Sequence, residues 1–385
     1  MRGCLAVWRR EWHYWLAHPS ERWLSTGLPV IMLVFLAWVF AAGPVVGLPI
    51  AVVDQDQSGL SRQLVRLVAA VPTVEIAVQA PDMLTAKQAL EARHVYAIMQ
   101  VPEGFERALL RQSGASVAVL TNAQLASHAS QITGALQPVI IGMGAMADVQ
   151  RLEMHGLTSV QAWGQAQPIA VQGVALGNAD LSSQRFLQLP LSMSVLSILA
   201  MVSVVSAFGR ELRDGSAAEL ASAAGSNATA VLAKVIAYGV LYSLWFLAAL
   251  WLTHRYSLAV VSSTPALVLA TVLLAWASVG AGVLVVAVTL NFRMALSITG
   301  FYAAPAFAFA GHAFPLVAMP PLAQWWAEAL PLTHWLRVFQ ASAIDPALML
   351  WPVQQVLVAF AVSTLLLGMG LFWARGFNPA RWGGR

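Results

Sequence analysis

The most chemically varied short segment of the chain reads Arg210-Glu211-Leu212-Arg213-Asp214-Gly215-Ser216-Ala217-Ala218-Glu219-Leu220, and it stands between two long apolar stretches. Arg210, Glu211, Arg213 and Asp214 cluster ahead of Gly215, a residue that permits a sharp turn. Ser216 is placed to cap a short helix with its hydroxyl, and Glu219 follows three residues later in capping-box spacing. The helix is expected to continue through alanine-rich sequence and stop at Gly225. A short, pre-capped helix is a stiff lever. The plainer alternative is a loop whose arginines only set the direction of the chain.

A second group lies in Gly311–Thr333, where Pro315, Pro320, Pro321 and Pro331 interrupt apolar and aromatic residues. A run broken this often cannot cross a bilayer as one helix. It reads as short re-entrant or interfacial helices packed on protein. Gly311, Phe314, Pro315, Met319, Pro320, Pro331, Leu332, Thr333 and His334 are the candidates for an outer gate, the alternative being a structural cap. His312 and His334 lack a paired carboxylate or cysteine, so they read as amphipathic interface residues rather than metal ligands.

Enzyme chemistry finds little support. The acidic residues between 47 and 185, including Asp54, Asp56, Glu75, Asp82 and Glu103, form no Ser/His/Asp, HExxH or phosphate-loop pattern. The only lysines are Lys87 and Lys234, and neither stands in GxxxxGK[ST], so no nucleotide-cradling loop is expected. The single cysteine, Cys4, allows no intrachain disulfide. No catalytic residue, cofactor or metal site is assigned.

The elements that must position these residues are mostly apolar. Of 385 residues, 59% are hydrophobic and 10% charged, against about 25% charged in soluble domains. The formal charge of +4 comes from scattered residues without a basic run, which excludes nucleic-acid binding as its explanation. About 20 apolar helical residues cross the hydrocarbon layer, and six such helices are expected near 27–46, 187–208, 231–252, 264–290, 294–311 and 351–373. Pro305 should kink the fifth. Lys234 stands near the inner end of the third, at its start, where it could snorkel to the interface.

Arginine placement favours both termini in the cytoplasm. Arg2, Arg9, Arg10, Arg22, Arg210, Arg213, Arg293 and Arg375 then lie inside, and the short outer segments hold only Arg255 and Arg337. Residues 1–26 carry Leu5, Trp8, Trp12, Trp15 and Leu16 at helical spacing, with Arg9, Arg10 and His13 beside them. They read as an amphipathic elbow on the inner leaflet rather than a signal-peptide lead. Residues 374–385 form a cytoplasmic tail.

Residues 47–185 alternate differently. GLPIAVVDQDQSG, TVEIAVQA, YAIMQVP and ASVAVLTN read as strands, with helical patterns between them and a long helical stretch over 124–154. This is an extracytoplasmic mixed α/β domain inserted between helices 1 and 2.

The arrangement resembles the ABC-2 type transporter permeases. WRREWHYWLAHPSERWLSTGLPVIML is similar to the family's amphipathic entry, IAVVDQDQSGLSRQLVRLV to its first outer strand and helix, and VYAIMQVPEGFERALL to a later strand, proline and Phe-bearing helix. FAFAGHAFPLVAMPPLAQWWAEALPLTHWLRVFQA resembles its outer loop. The chain departs in having Arg213 where a glutamate is usual, Glu219 one place late, and Gln340 where a basic residue is common.

The resemblance implies the permease subunit of an ATP-driven exporter in a bacterial inner membrane. A separate ABC ATPase subunit would bind the ATP, and a second permease copy would complete a homodimer or related heterodimer. A periplasmic adaptor protein is a further candidate partner. It also implies that segment 210–225, with Arg210, Glu211, Arg213, Asp214, Gly215, Ser216 and Glu219, meets the ATPase. The lack of mid-span carboxylates fits an apolar or amphiphilic substrate. The alternative function is an envelope sensor or scaffold whose outer domain binds a ligand or protein.

Overall fold

The computed structural model describes residues 2–41, 46–111, 114–122, 126–166, 184–256, 265–344 and 351–375. The tail beyond Arg375 and stretch 167–183 lie outside the described residues. Two compact units form: Met1–Gly43 with Ala175–Arg385, and Pro44–Val174.

The first unit opens with helix α1 (Arg2–Ala17), the short helix α2 (Pro19–Arg22), a π turn (Trp23–Gly27) and α3 (Leu28–Val39). Where the elbow is expected, α1 forms a helix with one packed and one open face. Leu5, Trp8, Trp12 and Leu16 of α1 are exposed, and Val7 and Glu11 are buried. The first apolar span is Pro19–Val39, beginning earlier and ending earlier than 27–46. Pro19 stands in a first helical turn, where the missing N–H has no partner; Pro29 follows the π turn, and the Ser25 carbonyl four residues before it accepts from Trp245 Nε1 at 3.1 Å instead.

The second unit holds strands β1 (Leu48–Asp54), β2 (Val74–Gln79), β3 (Ala97–Val101) and β4 (Ala118–Thr121). They alternate with helices α4 (Gly59–Ala69), α5 (Met83–Glu91) and α6 (Phe105–Leu110), and α7 (Ala126–Met154) and α8 (Ser159–Ala166) follow. The sheet order is β2-β1-β3-β4. β1 pairs in parallel with β2 and β3, and β3 pairs antiparallel with β4. This is the mixed sheet expected from the strand and helix alternation. Central β1 is buried almost along its length, as a strand covered on both faces must be. Ile50 and Val52 join Leu64, Phe105, Ile132 and Leu136 in one core, and Ala51, Val53, Ala86 and Ile98 form the other.

The first unit resumes with a π turn (Gln184–Gln188), α9 (Leu189–Arg213), α10 (Ala217–Ala224), α11 (Asn227–Tyr256), α12 (Pro265–Thr289), α13 (Phe292–Ala303) and α14 (Ala306–Phe309). A 3-10 turn (Leu316–Ala318), α15 (Pro321–Glu328), α16 (Pro331–Ile344) and α17 (Trp351–Arg375) complete it. α12 is the central helix. A Cβ on Gly282 would stand 3.1 Å from the Met201 carbonyl of α9, and one on Gly280 would stand 2.4 Å from Thr364 Oγ1 of α17. Small residues let apolar helices approach this closely, which is how helices associate where lipid removes the hydrophobic drive.

Six described helices are long and apolar enough to cross a membrane, but they are not the expected six. The fifth expected span, 294–311, is a broken helix. α13 has 12 residues, about 18 Å at 1.5 Å each, short of the hydrocarbon thickness. Pro305 supplies no N–H and forces a break rather than a kink. The sixth candidate is His128–Met154 of α7, whose Ile132, Leu136 and Met143 are committed to the sheet core. Its apolarity therefore serves the α/β unit.

Candidate functional site

Where α9 ends and α11 begins, six charged side chains meet in a buried cluster: Arg10, Glu11, Glu21, Arg210, Glu211 and Lys234. Three are cations and three carboxylates, so the cluster is formally neutral. Glu211 is 3% exposed, Arg210 4% and Lys234 0%.

Lys234 Nζ donates to Ala207 O at 2.7 Å and Glu211 Oε1 at 2.8 Å, and it stands 3.0 Å from Glu11 Oε1. An ammonium has three N–H donors, and three acceptors surround this one. The expected snorkelling does not occur, because partners from α1 and α9 hold the charge inside. Glu211 also accepts from Arg10 Nη2 at 3.0 Å and from Ser216 Oγ at 2.6 Å. Arg210 pairs with Glu11 through Nη2, lies 3.5 Å from Glu21 Oε2 through Nη1, and packs its guanidinium 4.0 Å over the Tyr14 ring. Ser206 Oγ donates to Glu21 Oε1 at 3.1 Å.

The local fold explains these positions. Cys4, Val7 and Glu11 follow each other at helical spacing on one face of α1. Val7 enters a small core with Leu220 and Ala224 of α10 and Ala230 and Ala233 of α11. A Cβ on Gly3 would stand 2.2 Å from Ala224 O, so the two helices touch at the backbone. Glu11 is thereby carried one turn further along the same face into the cluster. Burying so many charges is tolerable only where each meets opposite charge and hydrogen bonds.

The segment 210–225 is divided by this arrangement. Arg210 and Glu211 are interior, and Arg213 and Asp214 are exposed and bonded to each other at 2.8 Å. Gly215 has φ 69° and Gly225 φ 81°, so both are left-handed turns as expected. The capping box is not formed. Ser216 makes no side-chain cap, since its backbone at φ −84° and ψ 4° is not the extended conformation a cap requires; its carbonyl accepts the first helical bond from Leu220 N at 3.0 Å, and its hydroxyl donates to Glu211. Glu219 is exposed on α10. Sequence alone does not single out Glu11 or Glu21, and it marks Arg10 only beside the apolar stripe of α1 and in the arginine bias. The usable signals are a carboxylate on the packed stripe of α1 and a lysine inside an apolar helix.

The candidate gate residues also divide. Phe314, Pro315 and Pro320 are exposed, Gly311 partly so, and Met319, Pro331, Leu332, Thr333 and His334 are buried. His334 Nε2 meets the Glu328 carbonyl at 2.9 Å. Burial pushes its pKa below the ordinary histidine value, with the bond to Glu328 opposing. Arg337 pairs with the Glu328 carboxylate. His312 Nε2 meets the Phe186 carbonyl at 2.5 Å, and the rings stack at 4.2 Å. Both histidines are thus held by backbone carbonyls. Trp335, unremarked in the sequence, is fully buried, stacks on Phe339 at 5.3 Å and donates to Thr271 Oγ1 at 3.0 Å. Among the described residues no group of His, Cys, Asp and Glu could hold a metal ion.

Several helices long and apolar enough to cross a bilayer define a multi-pass membrane protein. The chain belongs to the ABC-2 transporter family, since the family model for ABC-2 family transporter proteins matches residues 20–373. The family consists of membrane subunits of ABC transporters, which work with an ABC ATPase subunit. No curated protein matches the chain.

Proposed function

We propose that this chain is the permease subunit of an exporter, driven by a separate ABC ATPase that docks on α10 and the turn around Asp214 and Gly215. The carrying observation is the connection of that surface to the spans. Ser216, at the start of α10, bonds Glu211, and Glu211 bonds Arg10 of α1 and Lys234 of α11. Displacing α10 therefore pulls on α1, α9 and α11 together. A neutral cluster in which each charge meets an opposite one, with Arg210 Nε its one buried polar atom lacking a hydrogen-bond partner among the described residues, is stiff enough to pass such a displacement on.

In this reading both termini and α10 are cytoplasmic, the α/β unit lies outside, and the broken α13–α14 pair completes the crossing between α12 and α15. The segment around His312 and His334 forms the outer gate. Two copies of the chain form the path, and the substrate is amphiphilic. The ATP is bound by the partner, and this chain has no catalytic role. A periplasmic adaptor protein is a further partner for the α/β unit.

Co-purification with the co-encoded ATPase, followed by substrate-stimulated ATP hydrolysis in proteoliposomes, tests the function. Failure of any ABC ATPase to associate would overturn it. A cysteine introduced between residues 55 and 60 should label from outside in intact spheroplasts. Labelling only after permeabilisation would overturn the orientation.

A further inference from the structure

Beside the charge cluster lies a groove of about 390 Å³ between α1, the start of α3's lead-in turn and α11, lined by Trp8, Glu11, Trp12, Trp15, Tyr238 and Trp245 among others. Its walls are two facing stripes. Trp8, Glu11, Trp12 and Trp15 follow at helical spacing on α1, and Tyr238 and Trp245 are two turns apart on α11. The volume is that of a small-molecule pocket.

The orientation of the indoles decides what the groove can hold. Trp8 Nε1 donates to Ala233 O at 2.9 Å, Trp15 Nε1 to Ser25 Oγ at 2.8 Å, and Trp245 Nε1 to Ser25 O at 3.1 Å. Three of the four N–H groups are turned into protein, so these rings offer their carbon surfaces rather than their donors. Trp12 stacks on Trp15 with centroids 5.1 Å apart. No lysine or arginine is among the described residues that line the groove, and its one carboxylate is Glu11. Aromatic faces carry negative quadrupole potential and attract cations, tryptophan most strongly. An anion entering here would meet no charged donor, and a neutral chain would use only the apolar walls.

We infer that this groove is a binding site for an amphiphilic organic cation, a substituted ammonium head with an alkyl or aryl tail. The head sits among the tryptophan faces near Glu11, and the tail lies along Val240 and Leu241. Glu11 also bonds Arg210 and Lys234, so a bound cation adds a fourth positive charge to a cluster of three and three. Occupancy is thereby felt by the residues that hold α10. As the identity of a transported substrate this rests on the transport reading, but as a binding site it does not.

The test uses the full-length protein in nanodiscs of phosphatidylethanolamine and phosphatidylglycerol, lipids without a quaternary ammonium. Three diazirine-bearing probes of equal chain length are compared: an alkyltrimethylammonium, an alkyl sulfate and an alkyl glucoside. Saturable labelling by the cation, mapped by peptide mass spectrometry, should fall within residues 8–15 and 237–245. Its affinity should exceed that of the other two by about tenfold, and Trp12→Leu should weaken the cation about fivefold while leaving the glucoside nearly unchanged. Trp12 is 59% exposed, so its loss leaves the fold intact, and the comparison of probes on the unaltered protein needs no variant. Equal binding of all three probes would reduce the groove to an acyl-chain slot and overturn the inference. Preference for the sulfate, or labelling elsewhere, would also overturn it. None of these outcomes depends on the ATPase.

Discussion

The Glu211 carboxylate of α9 meets the Lys234 ammonium of α11 at 2.8 Å, with both side chains almost completely withdrawn from the surface. Each is the other's principal neutraliser, so the pair is worth more as a unit than either member alone.

Removing one member strands a buried charge. Lys234→Met or Glu211→Gln should each lower stability by roughly 3–5 kcal/mol. The double variant should recover part of that loss, because both charges then leave together. Thermal unfolding of the purified single and double variants measures the coupling. Additive losses would show that the two side chains act independently.

Glu219 and Glu211 should separate coupling from folding. Glu219 is exposed on α10, so Glu219→Ala should change stability by less than about 0.5 kcal/mol while weakening ATPase association or transport. Glu211→Ala should impair insertion or stability first. Membrane abundance, ATPase co-purification and transport are to be measured separately for each. Unimpaired transport by the Glu219 variant would remove that residue from the docking surface.

Trp335→Phe keeps a ring against Phe339 but leaves Thr271 Oγ1 without the indole donor it accepts at 3.0 Å. The expected loss is about 1–3 kcal/mol, the usual penalty at a buried polar group, and it should appear as a lower unfolding temperature. An unchanged midpoint would mean that water or another donor replaces the bond.

In the α/β unit, Asp56 accepts from Gly104 N at 2.8 Å and Glu106 N at 3.0 Å, tying the turn after β1 to the start of α6. A hydrogen bond from Ser58, together with those backbone bonds, holds its carboxyl below the usual aspartate value against a smaller effect of burial. A depressed carboxylate stabilises the fold above the unfolded value, about 3.9, and that contribution is lost as pH falls through the lower folded value. Asp56→Asn should therefore destabilise the unit at pH 7 by roughly 1 kcal/mol, a partly exposed site giving the low end for a charge-assisted bond. The difference should vanish in acid. Faster amide exchange at Gly104 and Glu106 is the readout, and unchanged exchange would remove Asp56 as their anchor.

Much of this protein can be read from residue order. A pattern is legible wherever one element alone decides it: the 3.6-residue stripe of α1, the two-residue alternation or apolar run of the strands β1 to β4, and the long apolar runs of α9, α11, α12 and α17. The glycine turns at Gly215 and Gly225 belong here too, because a left-handed residue is a local requirement. So does the break at Pro305, although its severity does not. Apolarity cannot say which solvent an apolar helix meets, so α7 passes every test for a span while its buried face belongs to a sheet.

The charge cluster was decided by tertiary structure alone. Glu11 and Lys234 are 223 positions apart, and no local pattern pairs them. Lys234 could snorkel or be neutralised, and only the packing of Val7 onto Leu220 and Ala230 brings Glu11 within 3.0 Å of it. Ser216 shows the same rule at shorter range, since its hydroxyl donates to the Glu211 carboxylate at 2.6 Å while its backbone leaves the extended conformation that a side-chain cap requires. That charge-assisted bond joins the end of α9 to the start of α10, and it forms only once the turn between them has folded.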